Sequence, residues 1–517
     1  MKNVGIRKSL VELQNDYDNG NKKPLEDLMR AWKGIKELDP MDPKSFYCLA
    51  GFHGEPFRGA GYGDSSYWGG YCNHGNVLFP TWHRVYLYKL EKALQSIKGC
   101  EEVMLPFWDE TNEDSMKNGI PWALTREYFE LGGEKIKNPL ISYTFQHIVK
   151  DSIQSDDDLY TKPVGYETVR YPLSGLVGKD SIEATKKHNA NFPNYDENVK
   201  ILDRNIVAWL DNTIVMPDGT RRQMGVYKEF EDCLKAPNYT VFSNTTSAGK
   251  WNEDKLDKIV PLESPHNHIH LAVGGFDVPN QGDFSPIAGA NGDMGENNTA
   301  GFDPIFFFHH CNIDRMFWLW QKQHDATNKL EIIPEYPGTN SSDSQGATPG
   351  ITPNSWLTVE TPLNPFKLEE NEKERAFTTV DCINIETQLG YTYGKGSFDE
   401  TVKMVLRETN KPSKVAYVSK INRAPMKGSF IVAAYATIEG KRYYLGAESV
   451  LSRWNTAFCA NCQTHLEVKA SYDLASLPEK SIEESSIDVE IIGREQNNQL
   501  FARAAETGKK LFHIEIK

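Results

Sequence analysis

"DPIFFFHHCNIDRMFWLWQKQH", residues 303–324, puts aromatic and aliphatic side chains on nearly every face of a helix, so the helix it forms is buried. Asp303 is placed to cap it, and Pro304 suits the first helical position. It carries two adjacent histidines, His309 and His310, into the interior. Upstream, "KPLEDLMRAWKGIKEL" spaces Leu25, Leu28, Met29, Trp32, Ile35 and Leu38 at helical intervals. "PTWHRVYLYKLEKALQSI" does the same with Trp82, Val85, Leu87, Leu90 and Leu94, with Thr81 as the expected N-cap. Between these helical stretches, 110–200 and the Pro-, Gly- and Ser-rich 334–356 read as long irregular connections.

From about residue 400 the texture changes. "SKVAYVSKI", "SFIVAAYATIEGKRYYLGAESV", "HLEVKASYDL", "SIDVEIIGRE" and "LFHIEIK" are short, β-branched, partly alternating runs with a hairpin signal at Glu439-Gly440. They predict a separate β-sandwich or barrel of about 115 residues. Two domains also suit a chain of 517 residues, beyond the size at which one core stops growing. The net charge of -14 argues against nucleic-acid or anionic-membrane partners. "MKNVGIRKSLVELQND" has no apolar core of a secretory signal, and no run of eighteen apolar residues occurs, so the expectation is a cytoplasmic chain with no membrane span. The eight cysteines do not form the pattern of a disulfide framework. Cys459 and Cys462 make a CxxC in "FCANCQTH", for which two unrelated thiols near a turn remain an even alternative to a metal site.

In "ESPHNHIHLAVGG", residues 263–275, His266 and His270 are four apart and project from one helix face, while His268 points elsewhere. With His310 or His309, and with His53 in "LAGFHGEPF", His74 in "YCNHGN" and His83 in "TWHRVYL", the chain offers six imidazoles in two sequence clusters. No acidic residue is interleaved at ligand spacing. Two ions, each held by three neutral nitrogens with room for a further ligand, fit this pattern. An all-imidazole pair with open positions suits copper and dioxygen. Zinc is also held by three histidines in some sites, so a dinuclear zinc hydrolase stays open at this point.

"YCNHGNVLFPTWHRVYLYKLE", "LPFWDE", "ESPHNHIH" and "DPIFFFHHCNIDRMFWLWQ", in that order, closely resemble the two copper-binding regions of the tyrosinase, or polyphenol oxidase, family of type 3 copper proteins. The resemblance covers roughly residues 1–395. It implies a mainly α catalytic core, a four-helix bundle with long loops over residues 1–395, followed by an all-β sandwich-like lid over 396–517. It implies two copper ions, one held by His53, His74 and His83 and the other by His266, His270 and His310, with dioxygen as co-substrate. Cys72 matches the position that forms a thioether to the His74 ring. Glu263 and Asn267 match the pair that holds a water beside the second copper in enzymes that hydroxylate monophenols. Phe306 is expected near the substrate ring, with Met294 also at the pocket. Asn297 falls where the family keeps a gate residue, often valine. Arg7 and the Tyr391/Tyr393 pair of "GYTYG" match an element that closes the core.

The implied activity is ortho-hydroxylation of monophenols and oxidation of o-diphenols to o-quinones, on a small phenolic substrate, with a homo-oligomer left open. A catechol oxidase would share all six ligands but lack hydroxylation. A haemocyanin-like oxygen carrier would share them too, although such units come in arrays and this chain holds one copy of each motif. Latent members of the family append a C-terminal domain over the pocket, so Trp454, Phe458 and Val450 are candidates for a side chain that fills it. Cys459 and Cys462 then lie near the pocket mouth, where thiolates suit delivery of Cu(I).

Overall fold

The computed structural model describes residues 4–54, 70–150, 161–179, 181–254, 258–280, 292–343, 345–370, 373–400, 414–423, 426, 428–452, 467–475, 477, 482, 486–493 and 512–517. Four helices organise the core: α1 (Lys23–Glu37), α2 (Phe79–Gln95), α3 (Glu263–Gly274) and α4 (Ile305–Gln323). Every residue of α4 from Ile305 to Gln321 is buried, as its all-round apolar sequence requires. Trp32 of α1 packs on Phe307 and Phe308 of α4, with ring centroids 5.8 and 5.6 Å away. Helix α2 lies against α4 on another side and α3 on a third.

Two helix starts differ from expectation. Thr81 is not the N-cap of α2, which begins at Phe79. The Thr81 hydroxyl instead meets Leu78 O at 3.4 Å and Thr379 Oγ1 at 2.9 Å, so a long-range partner outcompetes the local cap. Helix α4 begins one residue later than the sequence suggests, at Ile305. The Asp303 carboxylate still accepts the Ile305 amide at 3.2 Å, while also pairing with Arg170 at 2.6 Å.

The ends of the core are joined. Strand β1 (Gly5–Arg7) runs parallel to β2 (Tyr391–Tyr393), with Arg7 opposite Tyr393. The Arg7 guanidinium lies 3.6 Å from the centroid of the Tyr391 ring, and its Nε donates to Glu91 of α2 at 2.8 Å. Both tyrosine hydroxyls donate to Asp314 Oδ2 at 2.6 Å, and Arg84 Nε donates to Asp314 Oδ1 at 2.6 Å. Asp314 sits one turn beyond His310 on α4, so this buried network ties the chain start, α2 and the residues around 391–393 to the helix that carries the site.

After the core, six strands follow among the described residues: β3 (Val415–Asn422), β4 (Phe430–Ile438), β5 (Lys441–Val450), β6 (Glu467–Asp473), β7 (Ser486–Gly493) and β8 (His513–Ile516). They form two antiparallel three-stranded sheets, β6-β3-β8 and β5-β4-β7, bridged where Tyr472 OH donates to Val432 O at 2.8 Å. The β4–β5 hairpin turns at Glu439 and Gly440, both at positive φ (49° and 76°), as a two-residue turn of matching twist requires. The helical core with a β-rich C-terminal region agrees with the sequence reading.

Edge strand β5 lies along α3. Ser264 Oγ donates to Glu448 Oε1 at 3.1 Å, Ser429 Oγ to Gly295 O at 2.8 Å, and the Asn297 amide to Ser452 O at 3.3 Å. Among the described residues no helix is long and apolar enough to cross a membrane.

Asp314 supplies the negative charge that two buried arginines face, with 2% of its side chain exposed. Replacing it with alanine leaves Arg84 without an acidic partner among the described residues, while Arg7 keeps Glu91, an expected loss of about 3 kcal/mol. Denaturant unfolding followed by tryptophan fluorescence checks this; an unchanged midpoint contradicts it.

Candidate metal centre

Helix α3 is buried along all twelve of its residues. Its i, i+4 spacing points His266 and His270 at α4, where their Nε2 atoms lie 3.2 and 3.1 Å from His310 Nε2. His268, between them, turns away: its Nδ1 lies 2.8 Å from Glu229 and 2.9 Å from Ser264 O, and its ring packs on Trp209. Burial alone would lower the His268 pKa, but Glu229, with Glu448 and the Ser264 carbonyl, outweighs it and the net shift is upward.

His83, on the first turns of α2, stacks on His310 with centroids 4.5 Å apart. His53 and His74 come from irregular segments. Their ring centroids are 5.3 Å apart, and 5.6 and 5.0 Å from that of His83. The Cys72 thiol lies within 4.8 Å of the ligand atoms of His53 and His74, and a second group within that limit comprises His266, His270, His309 and His310. The two groups adjoin: His74 and His266 have centroids 5.6 Å apart.

Hydrogen bonds orient these rings. His83 Nδ1 donates to Phe79 O at 2.8 Å, His53 Nδ1 to Asn297 O at 3.1 Å, and His270 Nδ1 to Met294 O at 2.9 Å. His266 Nδ1 contacts Asn267 Oδ1 at 2.9 Å. A carbonyl only accepts, so each of these rings carries its proton on Nδ1 and leaves Nε2 as a bare lone pair. Burial is the first cause that pushes every one of the six pKa values down, His83 to about 3 and His270 to about 4, so the rings are neutral.

The arrangement is unfavourable without a cation. His266 and His270 both aim lone pairs at His310 Nε2, which holds at most one proton. His53 Nε2, His83 Nε2 and both His74 nitrogens are buried with no hydrogen-bond partner among the described residues. For an ion about 2.0–2.1 Å from each nitrogen, neighbouring ligand nitrogens stand roughly 3.2–3.4 Å apart, which matches the His266, His270 and His310 spacing. The donor set fits two ions bound by neutral imidazoles.

His309 differs from its neighbour. Its Nδ1 lies 2.7 Å from Glu110 Oε1, both side chains are fully buried, and Asn312 donates to the other Glu110 oxygen. Burial raises the Glu110 pKa and lowers that of His309, so the pair is uncharged. Glu110 lies in "LPFWDE" and carries no spacing signal that marks it as a partner of His309.

The other site residues gather at the same place. Phe306 stacks on His310 at 3.9 Å between centroids and meets His53 edge-on at 4.7 Å. Asn297 and Met294 are fully buried and hold His53 and His270 through their backbone carbonyls; the Asn297 amide also faces Cys72 Sγ at 3.5 Å. Glu263 Oε1 accepts the Gly75 amide at 2.7 Å, and Oε2 accepts the Thr245 amide and hydroxyl at 2.8 and 3.0 Å. Burial raises its pKa against the pull of those donors. Gly75 and Thr245 were not foreseen, because nothing in "YCNHGN" or "NTTS" marks a carboxylate partner. Val450 lines the cavity beside Glu263 and Asn267. Trp454, Phe458, Cys459 and Cys462 lie outside the described residues.

Residues 43–323 match the common central domain of tyrosinase. The chain belongs to the tyrosinase family. A tyrosinase of Hahella sp. (strain CCB-MM4) is 57% identical over 494 residues, covering 92% of this chain and 89% of that protein. A tyrosinase of Aspergillus oryzae (strain ATCC 42149 / RIB 40) is 45% identical over 502 residues, with the same coverage of each. The structure of a tyrosinase from Burkholderia thailandensis superposes with a TM-score of 0.87 at 50% identity, covering 99% of this chain and all of that one. This tyrosinase is therefore a type 3 copper enzyme with two histidine-rich clusters for a copper pair, acting on a phenolic substrate with dioxygen.

The hydrogen bonds predict which of the adjacent histidines of α4 matters for the metal. In this tyrosinase His310→Ala is expected to lower bound copper from about two to about one per chain, while His309→Ala retains both. Atomic absorption on the purified variants reads this directly, and the reverse order overturns the assignment.

Proposed function

We propose that this tyrosinase hydroxylates monophenols ortho to the hydroxyl and oxidises o-diphenols to o-quinones, and that its C-terminal β domain holds it latent. The observation that carries the hydroxylation reading is the setting of Glu263, a buried carboxylate one turn before His266 on the same helix. A carboxylate offers about four lone-pair directions, and Gly75 and Thr245 occupy three. The fourth can accept from a water. Asn267 commits Oδ1 to His266 and keeps its amide N–H groups for the same water. A water gripped this way, beside a carboxylate whose pKa is raised by burial, is suited to take the proton of a phenol.

The copper pair, held by His53, His74 and His83 and by His266, His270 and His310, supplies the activation of dioxygen when bound. Phe306, lying over His310, offers a face on which the phenol ring orients, and the closely packed aromatic wall keeps bulk water out. A thioether between Cys72 and His74 would fix the orientation of a ring that has no hydrogen bond among the described residues.

Latency is supported by the seating of β5 and the residues after it. Val450 and Leu451 line the cavity that reaches Glu263 and Asn267, and Ser452 O accepts the Asn297 amide beside His53.

Glu263→Gln is expected to lower monophenol turnover about 10²-fold while o-diphenol turnover falls only a few-fold, since diphenols depend less on the base. Steady-state oxidation of a matched phenol and catechol measures the ratio; equal losses defeat the role. Cleavage near residues 394–412 is expected to raise turnover at constant copper content. Unchanged turnover after clean removal of the β domain defeats latency.

A further inference from the structure

Glu263 is 2% exposed, and burial works against the charge that a proton acceptor needs. Three hydrogen bonds oppose burial. The Gly75 amide donates to Oε1 at 2.7 Å, and the Thr245 amide and hydroxyl donate to Oε2 at 2.8 and 3.0 Å. Arg423, from the C-terminal region, adds a favourable charge. Two of the three donors are backbone groups and persist whatever side chains are present. The Thr245 hydroxyl is the one that the residue type decides.

Thr245 opens the helix Thr245–Asp254, so its amide has no acceptor within that helix and is available to Glu263. Another residue closes the helix start. Asn244, fully buried, accepts the Ser247 amide on Oδ1 at 2.9 Å and donates through Nδ2 to Ser247 Oγ at 2.9 Å. The Ser247 hydroxyl in turn donates to Pro337 O at 2.7 Å. The Thr245 hydroxyl has no part in that cap and goes to Glu263. On the other side, the Leu262 amide donates to Phe242 O at 2.8 Å, tying the residue before Glu263 to the turn that leads into Thr245. Backbone on both sides therefore holds the hydroxyl and the carboxylate against each other.

We infer that Thr245 is a positioning residue for the hydroxylation of monophenols, acting through Glu263 by fixing the plane of its carboxylate and holding its charge in the buried site. The inference rests on reading Glu263 as the group that takes the phenol proton through a water. A hydroxyl that donates to the ionised form favours it, so losing this bond raises the Glu263 pKa. More of Glu263 is then protonated at a given pH, and a carboxylic acid does not take up a second proton. Monophenol turnover then needs a higher pH, whereas diphenols depend less on this base. Lys250, Asp343, Arg423, Glu448, Glu467 and Lys469 line the same cavity, and none of them changes when variants at Thr245 are compared.

Steady-state oxidation of a matched phenol and catechol across pH, by the copper-loaded full-length chain, tests this. Thr245→Val keeps the shape of the side chain and loses the hydroxyl. It is expected to move the acid side of the monophenol profile up by about one pH unit, a loss of about tenfold there, while catechol turnover changes far less and copper content stays the same. Thr245→Ser is expected to restore the profile. Infrared difference spectra of the same samples, with the Glu263 carboxyl band identified by its loss in Glu263→Gln, are expected to show the same upward shift in protonation. If Thr245→Val does not fold, Thr245→Ala is compared in its place. An acid side that does not move, equal losses with phenol and catechol, or a profile that Thr245→Ser fails to restore overturns the inference. Glu263→Gln keeps the two readings apart: a selective monophenol loss there with a silent Thr245→Val removes Thr245 alone, and equal losses there remove the base itself.

Discussion

Four of the six clustered imidazoles, neutral because they are buried, place their one N–H on an acceptor, and the site follows from that constraint. Phe79, Asn297 and Met294 offer backbone carbonyls and Asn267 an amide oxygen, each to the Nδ1 of a different ring. The satisfied nitrogen faces outward and the bare one faces inward. Phe79 and Asn267 lie within four residues of His83 and His266, and Met294 and Asn297 lie at the pocket, so the segments that build the walls also set the tautomers. The lone pairs are thus aimed before any ion arrives, and little side-chain reorganisation is left for metal binding.

Much of this was legible in residues 263–275 and 303–324, because helical spacing alone decides which histidines share a face and an all-apolar helix has nowhere to go but the interior. The hairpin at Glu439-Gly440 was equally plain, since so few residues tolerate positive φ at both turn positions. What could not be read were pairings made across long stretches of chain. Gly75 donates to a carboxylate 188 residues away, and Glu110 meets His309 across 199. Neither contact has a local periodicity, and both depend on where loops without regular structure happen to run. The Thr81 cap failed for the same reason: a distant threonine offered its hydroxyl a partner.

The helical core and the β-rich C-terminal region cover each other's weak surfaces. Edge strand β5 would present unpaired backbone groups to solvent, and α3, buried along its whole length, would otherwise show one face to water. Seating β5 along α3 addresses both, with polar links such as Ser264 to Glu448 and Ser429 to Gly295 placed around the seam. The consequence is a cavity with Glu263 and Asn267 in one wall and residues 448–451 of the C-terminal region in the other.

The parallel pairing of residues 5–7 with residues 391–393 has a further consequence, for biosynthesis. The first strand of the chain waits for a partner that emerges nearly 400 residues later, on the order of a minute at ordinary rates of translation. Until then Arg7 has neither Tyr391 nor Tyr393, and Asp314, a turn from His310, lacks the hydroxyls that anchor it. The network behind the histidine pocket is therefore complete only once residues 391–393 have emerged, close to the moment at which the β-rich region follows them out.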